Sequence, residues 1–250
     1  MAYYMTNKFK IYYRVSSRGN PLGRTELSNT DLSGITRQDC FRNLVKIFGT
    51  ENLIVIADNA DDDVISFLVS EGIKNIERTF FGNTLSFRYI VDRAVTELQD
   101  EDIAYFVEDD YVHDYDAERI IREGLEISDY LSLYDSMDKY KDSDKGGYNP
   151  FISGGGEDTK VMITESCHWK KTNATTMTFA AKIKTLKEDY NVITKYCPNG
   201  APHPMDFLMF RELITQKNRI LINCMPGKSA HIGLEMSPFV PWISLLKGEL

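Results

Sequence analysis

IAYFVEDDYVHD, residues 103–114, decides how this 250-residue chain reads. Ile103 to Val107 form an apolar run of strand length, and a run without polar alternation is a strand covered on both faces. Three carboxylates, Glu108, Asp109 and Asp110, follow at once. Open α/β sheets bind ligands at the carboxyl ends of their strands, so this charge falls where a ligand would sit. Adjacent carboxylates at the end of a buried strand repel one another unless a divalent cation or a positive partner balances them. Magnesium or manganese bridging a diphosphate needs only one or two carboxylates, the rest of its shell being water and phosphate oxygens. The plainer alternative is a solvated acidic turn.

Outward from this stretch, the first half alternates β-rich runs with helical periodicities, the pattern of a mostly parallel sheet with crossover helices. Strands are predicted at Lys10–Val15, Asn52–Ile56, Ile76–Phe81 and Ile103–Val107. Thr36 caps a helix carrying Cys40, Phe41, Leu44, Val45 and Phe48 on one face, and Gly49 stops it. Val64, Ile65 and Leu68 mark a short helix ending at Gly72, and Phe87 to Leu98 a longer one. The second half is less regular. A helix over 117–127 and a strand over 130–134 lead into KYKDSDKGGYNPFISGGGED (139–158), a polar, Gly-rich stretch expected to be a mobile loop next to the site. β-like runs at 160–164 and 175–181 flank CHWKK (167–171), helices are expected near 185–196 and 206–215, and a last strand at 219–223 opens into PGKSAHIG (226–233).

Composition narrows the class. Acidic residues number 37 against 29 basic ones, a formal net charge of −8, so duplex nucleic acid is not an expected partner. No run approaches the ~18 apolar residues of a membrane span, and the opening MAYYMTNKFK lacks a signal peptide's apolar stretch, so a cytoplasmic location is expected. The four cysteines, Cys40, Cys167, Cys197 and Cys224, contain no CxxC pair and are read as buried free thiols.

Three more features join the acidic cluster. In IVIADNADDD, Asp58 stands just past the second strand, in the same carboxyl-end layer, where a carboxylate could read a nucleobase; its plainer role is turn formation. In FFGNTLSFRYIVDRA, Gly82 makes a strand-to-helix turn and Arg88 lies one turn into the helix. A flexible turn, a helix amino terminus and an arginine together suit a phosphate. In APHPMDFLMF, Asp206 opens a helix after a Pro-rich turn, where it is either an N-cap or a base able to take a proton from a hydroxyl.

This ordered series, Asp58, the Gly82-to-Arg88 turn and then Glu108-Asp109-Asp110, resembles the nucleotide-binding half of GT-A fold glycosyltransferases, most nearly family two, over about residues 10–112. The whole chain also resembles small bacterial and viral glycosyltransferase-like chains that share YFVEDDY, TTMTFAA and PGxSxH stretches. The resemblance implies a single GT-A domain over 1–250, with a Rossmann-like nucleotide-sugar-binding half at 1–112 and a smaller mixed α+β acceptor half at 113–250. It implies a metal-dependent transfer of sugar from a nucleoside diphosphate (UDP or GDP type) to a glycan or other hydroxyl acceptor, in surface polysaccharide or glycan synthesis. A lipid-linked acceptor would add a peripheral membrane contact. Carried over by position, Asp58 reads the base, Gly82 and Arg88 approach the nucleotide, Glu108 and Asp109 serve the diphosphate, and Asp110 binds Mn2+ or Mg2+. Asp206 matches the helix-start base of inverting members, and His231 resembles the late histidine that completes metal coordination in several of these families.

The chain departs from the family-two pattern in IYYRVSSRGN, which replaces an apolar strand with a proline-rich turn, and in Glu-Asp-Asp in place of Asp-x-Asp. His203 is a candidate for the acceptor pocket. Trp169 is either a candidate for stacking on a sugar, with Lys170 or Lys171 meeting a phosphate, or simply a core residue. Two alternatives stand beside transfer: a sugar-phosphate nucleotidyltransferase, whose Gly-rich phosphate loop RGNPLGRT (18–25) imitates loosely, and a non-catalytic nucleotide-sugar-binding protein.

Overall fold

The computed structural model describes residues 7–17, 35–232 and 240–247. Strands β1 (Phe9–Val15), β2 (Leu53–Asp58), β3 (Ile76–Thr79) and β4 (Ile103–Glu108) alternate with helices α1 (Arg37–Phe48), α2 (Asp62–Ser70) and α3 (Asn83–Glu97). All four strands run parallel in the order β3-β2-β1-β4. The sheet continues without a break into the second half, through β9 (Phe179–Lys182), β6 (Tyr130–Ser132), β10 (Leu221–Met225), β8 (His168–Lys171) and β7 (Val161–Ile163). β9 runs antiparallel to both β4 and β6, so the nine-stranded sheet is mixed, with its parallel part intact. A separate ribbon pairs β5 (Tyr111–His113) with β11 (Ser229–His231).

Both faces of the sheet are covered, which accounts for the unbroken apolar reading of β4. Tyr105 and Val107 point into one core with Phe41, Leu44 and Ile121; Ala104 and Phe106 point into the other with Phe87, Phe179 and Phe210. The first core lies under α1, α2 and α4 (Ala117–Gly124), the second under α3, α5 (Ile183–Lys195) and α6 (Asp206–Gln216).

Local chemistry sets the ends of the elements. Thr36 and Asp39 form a reciprocal capping box at α1, and Gly49 follows its last residue, as the sequence predicts. Gly82 precedes α3 at φ 82°, a conformation that disfavours any residue with a Cβ. Most predicted elements are present within a few residues, but β5, β8, β11 and α7 (Trp242–Lys247) are not readable locally. β5 shows why: α1's buried Asn43 donates to the His113 carbonyl at 3.0 Å and accepts the His113 N–H at 2.7 Å, so a three-residue strand is completed by a helix side chain.

The 139–158 stretch departs from the expected mobile loop. Lys139, Asn149 and Ile152 are buried, and Asp142 accepts the Gly155 N–H at 2.8 Å across the loop. Gly147 is required for close approach, since a Cβ there would stand 1.9 Å from the Lys141 carbonyl oxygen. Gly147 thus serves a close approach within the segment, and Lys139, Asn149 and Ile152 anchor it. RGNPLGRT lies outside the described residues.

Candidate functional site

Glu108, Asp109 and Asp110 leave the end of β4 in different directions, and each meets its own cationic group. Parallel register sets Arg14 of β1 beside Glu108, and Arg14 Nη2 lies 3.0 Å from Glu108 Oε1. The same guanidinium donates to the Asn83 carbonyl at 2.9 Å and to the Asn83 side chain at 2.7 Å, tying β1, β4 and the start of α3 together. Asp109 is 3.3 Å from Arg37 Nη1 and accepts the Ser16 N–H at 3.2 Å. Asp110 Oδ2 is 3.2 Å from His231 Nε2, brought there by the β5–β11 ribbon, whose register pairs His231 with Tyr111.

The charges respond accordingly. Burial, then the adjacent Asp110, pushes the Asp109 carboxyl up to about 7. Burial also raises Glu108 against the pull of Arg14. For Asp110 burial works the same way, but His231 outweighs it and the carboxyl is held below its ordinary value. Burial opposes protonation of His231, yet Asp110 and Glu108 together push it up to about 8. The positive partners that the sequence argument required are thus protein groups for all three carboxylates.

A divalent cation fits one place here. Among the described residues Asp110 Oδ1 is buried and has no hydrogen-bond partner, and His231, on giving up its proton, would supply an imidazole nitrogen beside the same carboxylate. No group of three or more His, Cys, Asp or Glu side chains is arranged for a metal among the described residues. Two protein donors completed by ligand oxygens are a normal complement for magnesium or manganese.

Asp58 is fully engaged inside the protein. Its Oδ1 accepts from Thr79 Oγ1 at 2.8 Å and the Phe81 N–H at 2.7 Å; Oδ2 accepts from the Gly82 N–H at 2.9 Å and Asn59 Nδ2 at 2.8 Å. It organises the turn that starts α3, a job that leaves its oxygens little capacity for a base. Gly82 makes the predicted turn. Arg88 is half-buried on α3 near Tyr190 and Cys197, and no hydrogen bond or ion pair joins it to the three carboxylates among the described residues. Arg14, not Arg88, is the arginine that reaches both the acidic cluster and the start of α3. A buried arginine near the carboxyl end of the first strand was the available signal.

Asp206 is the first residue of α6, the N-cap being Met205, and its Oδ1 accepts only the neighbouring Phe207 N–H at 2.7 Å. Burial raises its carboxyl above the ordinary range. It lines a cleft of about 340 Å3 with Tyr134, Asp138, Lys139, Thr175 and Thr176. The cleft adjoins the acidic cluster. Tyr134 packs edge-on to Tyr111 at 5.6 Å between ring centroids and lies 6.4 Å from the His231 ring, and Tyr111 donates to Thr176 at 2.8 Å. Asp206 is also among the charges that act on Glu108.

For Trp169 the structure takes the core alternative: it is fully buried with its indole N–H on Thr164 and stacks on no sugar. Two further expectations are corrected. Lys170 is 3.3 Å from Asp135 and 3.1 Å from Glu157, all three buried, so it is not free to meet a phosphate. Exposed His203 bonds the neighbouring Pro204 carbonyl and does not line the cleft. The Asp135–Lys170–Glu157 network supports the cleft floor, and sequence spacing offered no sign of it. All four cysteines are buried and free.

No family model matches the chain, and no curated protein sequence matches it. Solved structures do. The chain is similar to a crystal structure of GalNAc-T7 with UDP, GalNAc and Mn2+, at 10% identity and a TM-score of 0.55, over 93% of this chain and 44% of that one. It is also similar to 4-diphosphocytidyl-2C-methyl-D-erythritol synthase from Anaerococcus prevotii, at 11% identity and a TM-score of 0.49, over 92% of each chain. The chain thus has an α/β fold with a mixed, mostly parallel central sheet, shared with the GalNAc-T7 structure. At such identities the likeness concerns the fold.

Proposed function

We propose that this protein is a metal-dependent glycosyltransferase that moves a sugar from a nucleoside diphosphate to an acceptor hydroxyl. The observation that supports this reading best is the adjacency of a candidate cation-binding pair and a cleft. The Asp110–His231 pair, with its unpartnered carboxylate oxygen, adjoins through Tyr111 and Tyr134 a cleft carrying the half-buried carboxylate of Asp206. Asp110 and His231 would hold Mn2+ or Mg2+, which when bound would offset the charge developing on the leaving diphosphate.

Residues 1–112 would hold the nucleotide and 113–250 the acceptor, on one continuous sheet. Asn83, at the start of α3 where no side chain caps the helix, would present its backbone N–H to the phosphates, the Gly82 N–H being held by Asp58. Arg14 positions that helix start against Glu108 through its bonds to Asn83. Asp206 would take the acceptor proton in an inverting reaction, burial having made it more basic than an ordinary aspartate.

Product analysis tests the proposal. The protein is incubated with UDP- and GDP-sugars, Mn2+ or Mg2+ and a mixed hydroxyl acceptor pool. Free nucleoside diphosphate with glycosylated product is the expected result. Pyrophosphate released from nucleoside triphosphate and sugar phosphate would establish nucleotidyl transfer instead, and nucleotide binding without turnover would establish a binding protein.

A further inference from the structure

The cleft beside Asp206 is chemically specific. Its volume, about 340 Å3, is at the low end of the ~300–1,000 Å3 typical of small-molecule sites. Thr175 is 8% exposed, and among the described residues its Oγ1 has no hydrogen-bond partner and Asp138 Oδ1 is also buried without one. An unpartnered buried hydroxyl or carboxylate oxygen costs free energy until a ligand or water satisfies it. Both residues line this cleft.

Two carboxylates, Asp138 and Asp206, and two ammonium groups, Lys139 and Lys141, also line it, so it carries no net formal charge. The Lys139 ammonium is turned into the floor, 3.4 Å from Asn223 Oδ1, and burial lowers its affinity for a proton. Lys141 is the ammonium left to face a ligand, and the Asp138 and Asp206 carboxylates on the same lining oppose an anion there, while an acyl chain would bury Thr175 and Asp138 unpaired.

The mouth is aromatic. Tyr148 lines it at 63% exposure, and Phe207 stacks on the half-exposed Phe151, with ring centroids 6.1 Å apart and planes 22° apart. Arg211 covers Phe151 at 4.1 Å, which holds that ring in place. Rings at the rim with hydroxyl and carboxylate partners inside match a molecule having apolar C–H faces and many hydroxyls.

We infer that this cleft binds a neutral saccharide, whose hydroxyl is the acceptor in the proposed transfer. The identification rests on that transfer reading for the saccharide's role, and on the cleft's own chemistry for its class. Thr175 and Asp138 hydrogen-bond its hydroxyls, and Phe207 stacks on its ring.

Saturation-transfer NMR with the full chain tests this, using methyl glycosides of glucose, galactose, mannose and N-acetylglucosamine, with glucose 6-phosphate and octanoate as comparators. Each is run with UDP or GDP and Mn2+ present, and nucleotide binding is recorded in the same samples. At least one neutral glycoside should bind saturably. Thr175→Val, which keeps the shape and removes the hydroxyl, should weaken it about 5-fold, and Phe207→Ala about 10-fold. Thermal unfolding confirms that both variants are folded. Absence of neutral glycoside binding, tighter binding of glucose 6-phosphate or octanoate, or indifference to both substitutions overturns the inference. Nucleotide binding without glycoside binding removes the saccharide assignment and leaves the transfer reading standing. Glycoside binding without nucleotide binding does the reverse.

Discussion

Asp206 and Asp58 show how differently two carboxylates of similar sequence context can be used. Asp206 opens α6 without capping it and spends one oxygen on its neighbour's N–H, so its charge remains available to the cleft. Asp206→Asn should therefore reduce transfer by about 100-fold to 10,000-fold while nucleotide affinity stays within a few-fold. A near-normal turnover number, from steady-state kinetics on the folded variant, would remove the base role. Asp58, by contrast, satisfies two backbone N–H groups, the Thr79 hydroxyl and the Asn59 amide. Asp58→Ala should cost about 2–4 kcal/mol in urea unfolding, because the turn into α3 loses its buried acceptor. Stability within about 0.5 kcal/mol of the parent would show that the turn holds itself.

At the scale of elements, short pieces depend on partners far away in sequence. β5 is held by Asn43 of α1, and its His113 is fully buried, in hydrogen-bond contact with Tyr105 and edge-on to Phe48. Burial depresses the His113 imidazole to about 3, below the ~6.5 of an unfolded chain. The unfolded state therefore takes up the proton first, and this contribution to stability is complete above pH 6.5 and lost as pH falls toward 3. Between pH 7 and pH 5 the loss should amount to about 2 kcal/mol. His113→Phe, which keeps an aromatic ring among aromatic neighbours, should flatten that part of the profile. Equal slopes for variant and parent, measured by urea unfolding at each pH, would mean that His113 is not buried neutral.

For the whole molecule, the decisive contact is β4 with β9. The chain reads as two halves, yet β9 from the second half pairs antiparallel with the last parallel strand of the first, and both cores cross that seam. Phe106 and Phe179, one from each half, are 5.2 Å apart between ring centroids. Unfolding should be a single cooperative transition, with far-ultraviolet circular dichroism and tryptophan fluorescence coincident. Trp169 and Trp242 report from the second half and its flank, so a fluorescence midpoint separated from the dichroism midpoint would show that the halves melt independently.

The amino-acid sequence by itself determined the βαβ alternation of the first half, because apolar runs of strand length, period-3.6 patterns and the Thr36, Gly49 and Gly82 signals are local and need no partner. It also located Glu108 to Asp110 at a strand end, since an apolar run interrupted by charge carries that position along the chain. Tertiary structure alone decided who answers those charges. Arg14 reaches Glu108 through strand register, Arg37 reaches Asp109 from α1, and His231 reaches Asp110 across a ribbon whose strands lie more than a hundred residues apart. The same holds for Lys170 between Asp135 and Glu157, whose burial turned two sequence-level ligand candidates into core and floor. Pairing energies of this kind depend on distance in space and on exclusion of water, and neither is written in the spacing of residues.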